Sequence, residues 1–488
     1  MSSMKIIKVD PVTRIEGHAE IKLFLDENNQ LIDSQVKVVE LRGFEKFLVG
    51  RPVEEMPLIT PRMCGICHTP HHICSAKAVD RAFGLVPEDL PPTAFKLRKL
   101  LHYGSYIHSH ILHFFYLAAP DLVLGPDSDP AKRNVFGVLE ANPELVKKVI
   151  AGRKLGQKIT KILGGRTVHP VTAVPGGQAT GLSKEDRDAI ETEVKDLATN
   201  FLPEAKDLAM ALFDQYTDAI TSLGVLPTMH LGLVGKDGEL EFHHGKGRLV
   251  DDKAQILEEF NTTNTEYLDV ISERIKDYSY LKFPYYKKRS FEEGCYRVGP
   301  LARINAADKI DTPLAQELLT EFRGKFGRPA DQSLLYSYAR IIELAHAVET
   351  TLDLLQDPDI LGTKLRTPVK AREEQGVGIL EAHRGMLFHH YVTDKKGITT
   401  DVNLIVATVS NNEAINRSVN VSAKELIVDA EPAEGLLNRL EMIVRAYDPC
   451  FSCATHVLRS GAIATEVQII DHKGKTTRVL RNWENERR

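Results

Sequence analysis

Asp448-Pro449-Cys450-Phe451-Ser452-Cys453-Ala454-Thr455-His456 lies near the end of the chain and carries one C-x-x-C pair. Arg62-Met63-Cys64-Gly65-Ile66-Cys67, followed by His68, His71 and His72, carries the other far upstream. Pairs so widely separated meet only if the two ends of the chain fold against each other, which brings four thiolates to one point. Four thiolates at one point mean a metal. On spacing alone the first reading is structural zinc, the commonest occupant of two C-x-x-C pairs with tetrahedral sulfur ligation.

The wording around the cysteines points elsewhere. Arg14-Ile15-Glu16-Gly17-His18, Arg42-Gly43-Phe44-Glu45-Lys46-Phe47, the first cysteine pair, His169-Pro170 with Pro175-Gly176-Gly177, Glu381-Ala382-His383-Arg384-Gly385, and the second cysteine pair follow one another in that order. With these phrases the chain resembles, along nearly its whole length, the large catalytic subunit of nickel-iron hydrogenases. Within that family it looks most like the cytoplasmic enzymes of the methyl-viologen-reducing and NAD-linked types. The resemblance implies reversible oxidation of dihydrogen to protons and electrons.

Carried over residue by residue, it makes Cys64 and Cys450 terminal ligands of nickel, while Cys67 and Cys453 bridge to an iron that carries carbonyl and cyanide. Soft thiolates suit both metals. The same resemblance makes Glu16 the carboxylate that takes a proton from Cys450, and Arg384 a guanidinium over the open metal position. Asp121 and Asp448 would orient that arginine, and His71 would hydrogen-bond a bridging cysteine. Glu45 and His456 would hold a magnesium ion. Structural zinc gives no role to Glu16, Arg384 or Asp448. Read alone, Glu16 is a partner for Arg14 or His18, and Asp121 after Pro120 is an ordinary helix N-cap.

The bulk properties bound the partners. The chain has 488 residues, 43% hydrophobic and 26% charged, enough for a substantial core. A net charge of -5 gives no reason to expect nucleic acid. No signal peptide precedes Lys5-Ile6-Ile7, and the apolar run from Ile111 to Leu124 contains His113, Asp121 and Pro120, so direct membrane insertion is not expected and the location is cytoplasmic. Six cysteines, four of them in the two pairs, suit a reducing compartment and leave none for an electron-transfer chain. Cys74 and Cys295 read as small buried hydrophobes. The resemblance implies a small iron-sulfur subunit as the partner, with further flavin or iron-sulfur subunits beyond it. The resemblance also implies a maturation endopeptidase and nickel-insertion factors.

Alternation of apolar and polar residues predicts strands over Lys5 to Val9, Ala19 to Leu25 and Leu31 to Leu41. Recurrence at three and four predicts long helices over Ala94 to Leu117, Pro143 to Leu163, Lys184 to Leu223, Lys253 to Lys276 and Leu334 to Leu355, with a break or kink at Leu202-Pro203. Val377 to Thr408 returns to strand-like alternation around an Asp394-Lys395-Lys396-Gly397 turn, and a last helix from Ala433 to Tyr447 delivers the second cysteine pair. The class is α+β, a helix-dominated single large domain with a long-helix bundle and small antiparallel sheets.

Two departures from the family pattern stand out. His383 replaces the usual proline before the arginine; it either titrates near neutral pH beside the site or points away. The chain also continues past His456. Residues 1–456 form the expected catalytic domain, and 457–488 an extension removed during maturation, in which Val467 to Ile470 and Thr477 to Leu480 would pair as a hairpin.

Overall fold

The computed structural model describes residues 5–38, 40–369, 373–427 and 434–455, together with the backbone of 466–470 and 476–481. Its centre is the helix Pro92–Leu112, whose Leu97, Leu100, Leu101, Ile107 and Ile111 are all buried. A proline at the first helical position is harmless there because its missing N–H would have no partner anyway. The helix continues through a π-helical turn, His113–Ala118, into Ala119–Val123. Against it pack Pro143–Gly164 and Tyr336–Gln356, the bundle that the three-and-four spacing predicts.

The contact with Pro143–Gly164 is close enough to require glycine. A Cβ on Gly156 would lie 2.8 Å from the Gly104 carbonyl oxygen, and one on Gly104 would lie 2.5 Å from Ile159. From Ser183, whose side chain caps Asp186 N–H, the chain runs through Lys184–Asp196, a π-helical turn over Leu197–Phe201, and Leu202–Gln215. The wide turn sits where Pro203 cannot donate to the carbonyl four residues back, so the predicted break takes the form of a π-bulge.

The reading of Lys253 to Lys276 as a helix is corrected. That stretch is a strand, Ile256–Asn261, a short helical turn, Tyr267–Val270, and a second strand, Ile271–Ile275. Asn261 and Asn264 turn the chain instead: Asn261 Oδ1 accepts from Thr263 N–H and Asn264 Oδ1 from Glu266 N–H. Apolar spacing is satisfied by both periods here, and the local turn chemistry decides between them. The first strand joins a sheet with Lys246–Val250, Met229–Val234 and Tyr296–Arg297; the second pairs with Lys282–Tyr286.

The N-terminal strands Lys5–Val9, Glu20–Leu25 and Leu31–Lys37 form the expected antiparallel sheet. Gln375–Ala382, Gly385–Thr393 and Thr399–Ile405 form another, with Asp394 at the second turn accepting from Lys396 and Ile398 N–H. The first two of these strands are buried almost throughout, and Gly376 and Gly378 let the sheet press directly on the helix His68–Ala82. Glu466–Ile470 pairs antiparallel with Thr476–Arg481, as read for the C-terminal extension. Among the described residues, no helix is long and apolar enough to cross a membrane.

The glycine contact at the centre of the bundle is testable. Gly156→Val should lower stability by about 1–3 kcal/mol through overpacking, measured as a fall in the thermal midpoint, with Gly152→Ala, which meets only side-chain methyl groups, falling less.

Candidate metal centre

The first cysteine loop is shaped by a 3-10 turn, Thr60–Met63, after which Cys64 turns extended and Cys67 stands at the N-terminus of His68–Ala82. Cys64 Sγ accepts from Ile66 N–H at 3.2 Å and Cys67 N–H at 3.0 Å. Backbone donors and a helix N-terminus both favour thiolate over thiol. Arg42 pins this loop by donating from Nη1 to Met63 O at 2.8 Å.

The second loop follows the helix Glu434–Ala446. Asp448 adopts a positive φ of 54°, which turns the chain sharply before Cys450. Thr408 Oγ1 accepts from Cys450 N–H at 2.9 Å. The N-terminal Arg14-Ile15-Glu16-Gly17 segment then docks on this loop. Glu16 forms a parallel bridge with Cys450, its carbonyl accepts from Phe451 N–H at 3.1 Å, and its Oε2 accepts from Ser452 N–H at 3.2 Å. Gly17 has φ 83°, and a Cβ there would lie 2.8 Å from Ser452 N. Only glycine allows both the conformation and the approach.

The result is a buried sulfur cluster. Cys64 and Cys450 Sγ lie 3.2 Å apart, Cys67 and Cys453 3.3 Å, and Cys67 and Cys450 3.8 Å. Cys450 and Cys453 are in direct sulfur-sulfur contact, and a metal would hold them as two thiolates. All four ligand atoms fall within 4.8 Å of one another. Burial works against both free thiolates; hydrogen bonding from Cys67 and the charge of Arg384 nonetheless pull Cys64 below its ordinary value, while burial and the neighbouring Cys64 push Cys67 well above.

Arg384 supplies the compensating charge. Its Nε donates to Asp448 O at 2.7 Å and its Nη2 to Asp448 Oδ1 at 3.1 Å. Burial opposes the charged form, but Asp448, Cys67, Cys64 and Glu16 outweigh it and hold the guanidinium firmly protonated. Arg384 Nη1 and Asp448 Oδ2 are buried and have no hydrogen-bond partner among the described residues. A structural zinc site satisfied by four sulfurs has no use for such a donor; a centre that binds further small ligands does.

Asp121 meets other partners than Arg384 among the described residues. Its carboxylate is taken by Arg14 Nη2 and Arg445 Nη1, with Asn438 Nδ2 at 3.2 Å, and it makes no hydrogen bond to Arg384. It is a buried acceptor for the arginine of the N-terminal segment, tying that segment to the helix before Cys450. Of the two readings of His383, the structure gives the second. Its ring turns to Ser105, Nε2 to Oγ 2.9 Å, and burial with the Arg384 charge holds its pKa well below the usual range, so it stays neutral.

His71 Nδ1 lies 3.0 Å from His389 Nε2, and His389 in turn meets the Tyr391 hydroxyl at 2.6 Å. A bond from His71 to a cysteine would thus use its other nitrogen. His72 is fully occupied by Pro57 O and Ala173 N–H. Glu45 Oε1 accepts from Lys282 Nζ and Leu404 N–H, each at 2.9 Å, and Lys282 also meets Glu273 at 3.3 Å. His456 lies outside the described residues; Thr455 just before it accepts from Arg42 and Gly43 N–H. Cys74 and Cys295 are buried and free.

Sequence reasoning missed Thr408 and the buried Arg303. Thr408 has no signal beyond its position after a strand. Arg303 did have one: a lone charge inside the apolar run Val298 to Ala307.

A family profile described as nickel-dependent hydrogenase matches residues 42–133 and 248–456, and one described as HoxL-like matches 6–41. The chain is 46% identical to a vhu-type F420-non-reducing hydrogenase subunit of Methanococcus voltae over 87% of this chain and 99% of that one. It is 41% identical to the beta subunit of the NAD-reducing hydrogenase HoxS of Cupriavidus necator over 97% and 98% of the two chains. Among solved structures it is similar to an NAD+-reducing NiFe-hydrogenase in the H2-reduced state, with TM-score 0.89 and 39% identity over 93% of this chain and all of the other.

The docking of the N-terminal segment gives a direct test. Gly17→Ala should leave the far-ultraviolet circular dichroism unchanged and lower the nickel retained per chain, because the added methyl displaces Ser452 between two ligands; full nickel retention would show that the contact is not needed.

Proposed function

Because the chain belongs to the nickel-dependent hydrogenase family, we propose that it is a large catalytic subunit that oxidises dihydrogen reversibly to two protons and two electrons at a nickel-iron centre. The observation that carries this reading is the convergence of four buried sulfur atoms from opposite ends of the chain, beside a charged arginine with an unused donor.

The residues present fit the metals. Cys64 and Cys450 would bind nickel terminally, and Cys67 and Cys453 would bridge to an iron carrying carbonyl and cyanide. When bound, this pair accepts the electrons of dihydrogen; the protein handles the proton. Cys450 Sγ would serve as the base, and the backbone bridge joins Glu16 to that residue. Glu16 is the acceptor for that proton, its carboxylate oriented by Ser452 N–H. Arg384, rigid and permanently charged, steadies negative charge that develops beside the sulfurs without itself exchanging a proton. Asp448 fixes it by two hydrogen bonds. His71 tunes a bridging sulfur through the nitrogen not given to His389.

Glu45 shares Lys282 with Glu273, and Thr455 is tied to Arg42 and Gly43. These support magnesium held by Glu45 and His456. The electrons would pass first to a small iron-sulfur subunit, then through flavin or iron-sulfur subunits to a soluble acceptor in the cytoplasm. The family profile ends at residue 456, which supports 457–488 as an extension cut off by a maturation endopeptidase after nickel-insertion factors have acted.

Dihydrogen-dependent reduction of a viologen dye by the purified complex, with metal analysis on the same sample, tests the core of this reading. Activity with about one nickel per chain, and iron on the same sample, is expected, and Cys450→Ser should abolish it. Inactive protein containing zinc would reject the assignment. Intact mass of nickel-loaded protein should correspond to a chain ending at His456; a loaded chain that keeps the extension would reject the processing step alone.

A further inference from the structure

The turn that presents Arg384 is a two-residue link, His383-Arg384, between Ala382 and Gly385, which pair across the hairpin. Nothing within such a short turn fixes a long side chain. Asp448 holds the guanidinium itself, and the backbone that carries it is held from one neighbouring helix, Pro300–Ala306.

Arg303 of that helix is fully buried and clamps the residues just before Arg384. Nη1 donates to Glu381 Oε2 at 2.6 Å and to Ala382 O at 2.9 Å; Nη2 donates to His383 O at 3.1 Å and to Glu343 Oε2 at 2.7 Å; Nε donates to Glu343 Oε1 at 2.6 Å. Every guanidinium donor is thereby used. The two carboxylates are held in turn: Glu381 Oε1 accepts from Leu233 N–H at 2.9 Å, and Glu343 Oε2 meets His110 Nε2 at 2.9 Å. Gly299, the residue before the same helix, closes the other side. It has φ 94°, and a Cβ there would lie 2.6 Å from Arg384 O.

From these contacts we infer that Arg303, with Glu381, Glu343 and Gly299, is the positioning device for Arg384, setting where its guanidinium stands relative to the sulfur cluster. The inference rests on the reading of Arg384 given above. A merely structural ion network could be attached to any part of the hairpin. Here three of the five donors reach residues 381, 382 and 383 in succession, and the helix start touches residue 384 itself. A lysine at 303 would keep the charge and lose the fork that spans these acceptors.

The test uses the purified complex carrying Arg303→Lys, Arg384→Lys, or both. It reads kcat for dihydrogen-dependent viologen reduction, KM for dihydrogen, and nickel and iron content. Arg303→Lys should lower kcat by about 10- to 100-fold, the scale of an ångström-level misplacement of a reacting group, with KM and metal content unchanged. The double variant should be no slower than Arg384→Lys alone, because Arg303 acts through Arg384. Deficits that multiply, or an unaltered kcat in Arg303→Lys, overturn the clamp. Full activity in Arg384→Lys overturns the reading of Arg384 and the clamp with it, and is recognised without any change at Arg303. If Arg303→Lys yields no metal-loaded protein, Glu381→Gln and Gly299→Ala carry the same comparison: reduced kcat at full metal content supports the clamp, and unchanged kcat in both overturns it.

Discussion

The short parallel bridge between Glu16 and Cys450 is the interaction on which the rest of the centre depends. It joins the first strands of the chain to its last described loop, and it places a carboxylate, a sulfur and the Ser452 amide in one turn of backbone. A bridge of this size is worth little as hydrogen bonding alone, roughly 1 kcal/mol per bond. It persists because flanking contacts over-determine it. Arg14 is anchored on Asp121, Asp121 on Arg445, and Arg445 belongs to the helix that ends just before the second cysteine pair. The buried Asp121 carboxylate with its arginines is a costly arrangement to disrupt, since removing one partner of a buried pair leaves an uncompensated charge worth about 3–5 kcal/mol. That is the stronger reason for an aspartate at this position.

Burial sets the second constraint. Four sulfurs and Asp448 lie together out of water with the half-buried Glu16 beside them, and all of them carry or can carry negative charge. Arg384 is the counter-charge within hydrogen-bond reach of Asp448, and its protonation is raised by the same groups that need it. The two ends of one balance are thus set together: the arginine lowers the cost of thiolates, and the thiolates keep the arginine charged. His383 beside it must then stay neutral, because a second cation in that space would meet Arg384 without a carboxylate of its own.

Much of this was legible in the sequence because its periodicities were unambiguous. The helices at Pro92–Leu112, Pro143–Gly164 and Tyr336–Gln356 each carry a long apolar stripe, and the strands that close on Asp394-Lys395-Lys396-Gly397 are bounded by a turn with its own chemistry. The stretch from Lys253 to Lys276 was not legible, since Ile256, Leu257, Phe260, Tyr267 and Ile271 satisfy helical spacing while Asn261 and Asn264 set turns that break it. The cysteine pairs announced themselves by spacing. Asp121 did not announce its partners, because two arginines distant in sequence, Arg14 and Arg445, claim it only once the ends of the chain have met. Thr408 was invisible because it acts on a backbone atom, whose position no residue pattern records; Arg303 showed as a lone charge in an apolar run, but its partners did not.

The groups that do chemistry here stand on loops and turns, and each loop is fastened to something rigid within a residue or two. Cys67 begins the helix His68–Ala82, which the buried hairpin presses from the far side. Cys450 is fastened by Thr408, immediately beyond the strand Thr399–Ile405, and Arg384 sits on the hairpin turn gripped by Pro300–Ala306. Loops permit side chains from remote parts of the sequence to converge at one point, which regular elements packed face to face seldom do. The cost is positional freedom, and a cluster whose donors must sit within a few tenths of an ångström cannot tolerate it. The structure resolves the conflict by tying the backbone of each loop to a different part of the fold through a hydrogen bond. The precision of the centre is therefore a property of the whole domain, and substitutions far from the sulfurs reach it through those few bonds.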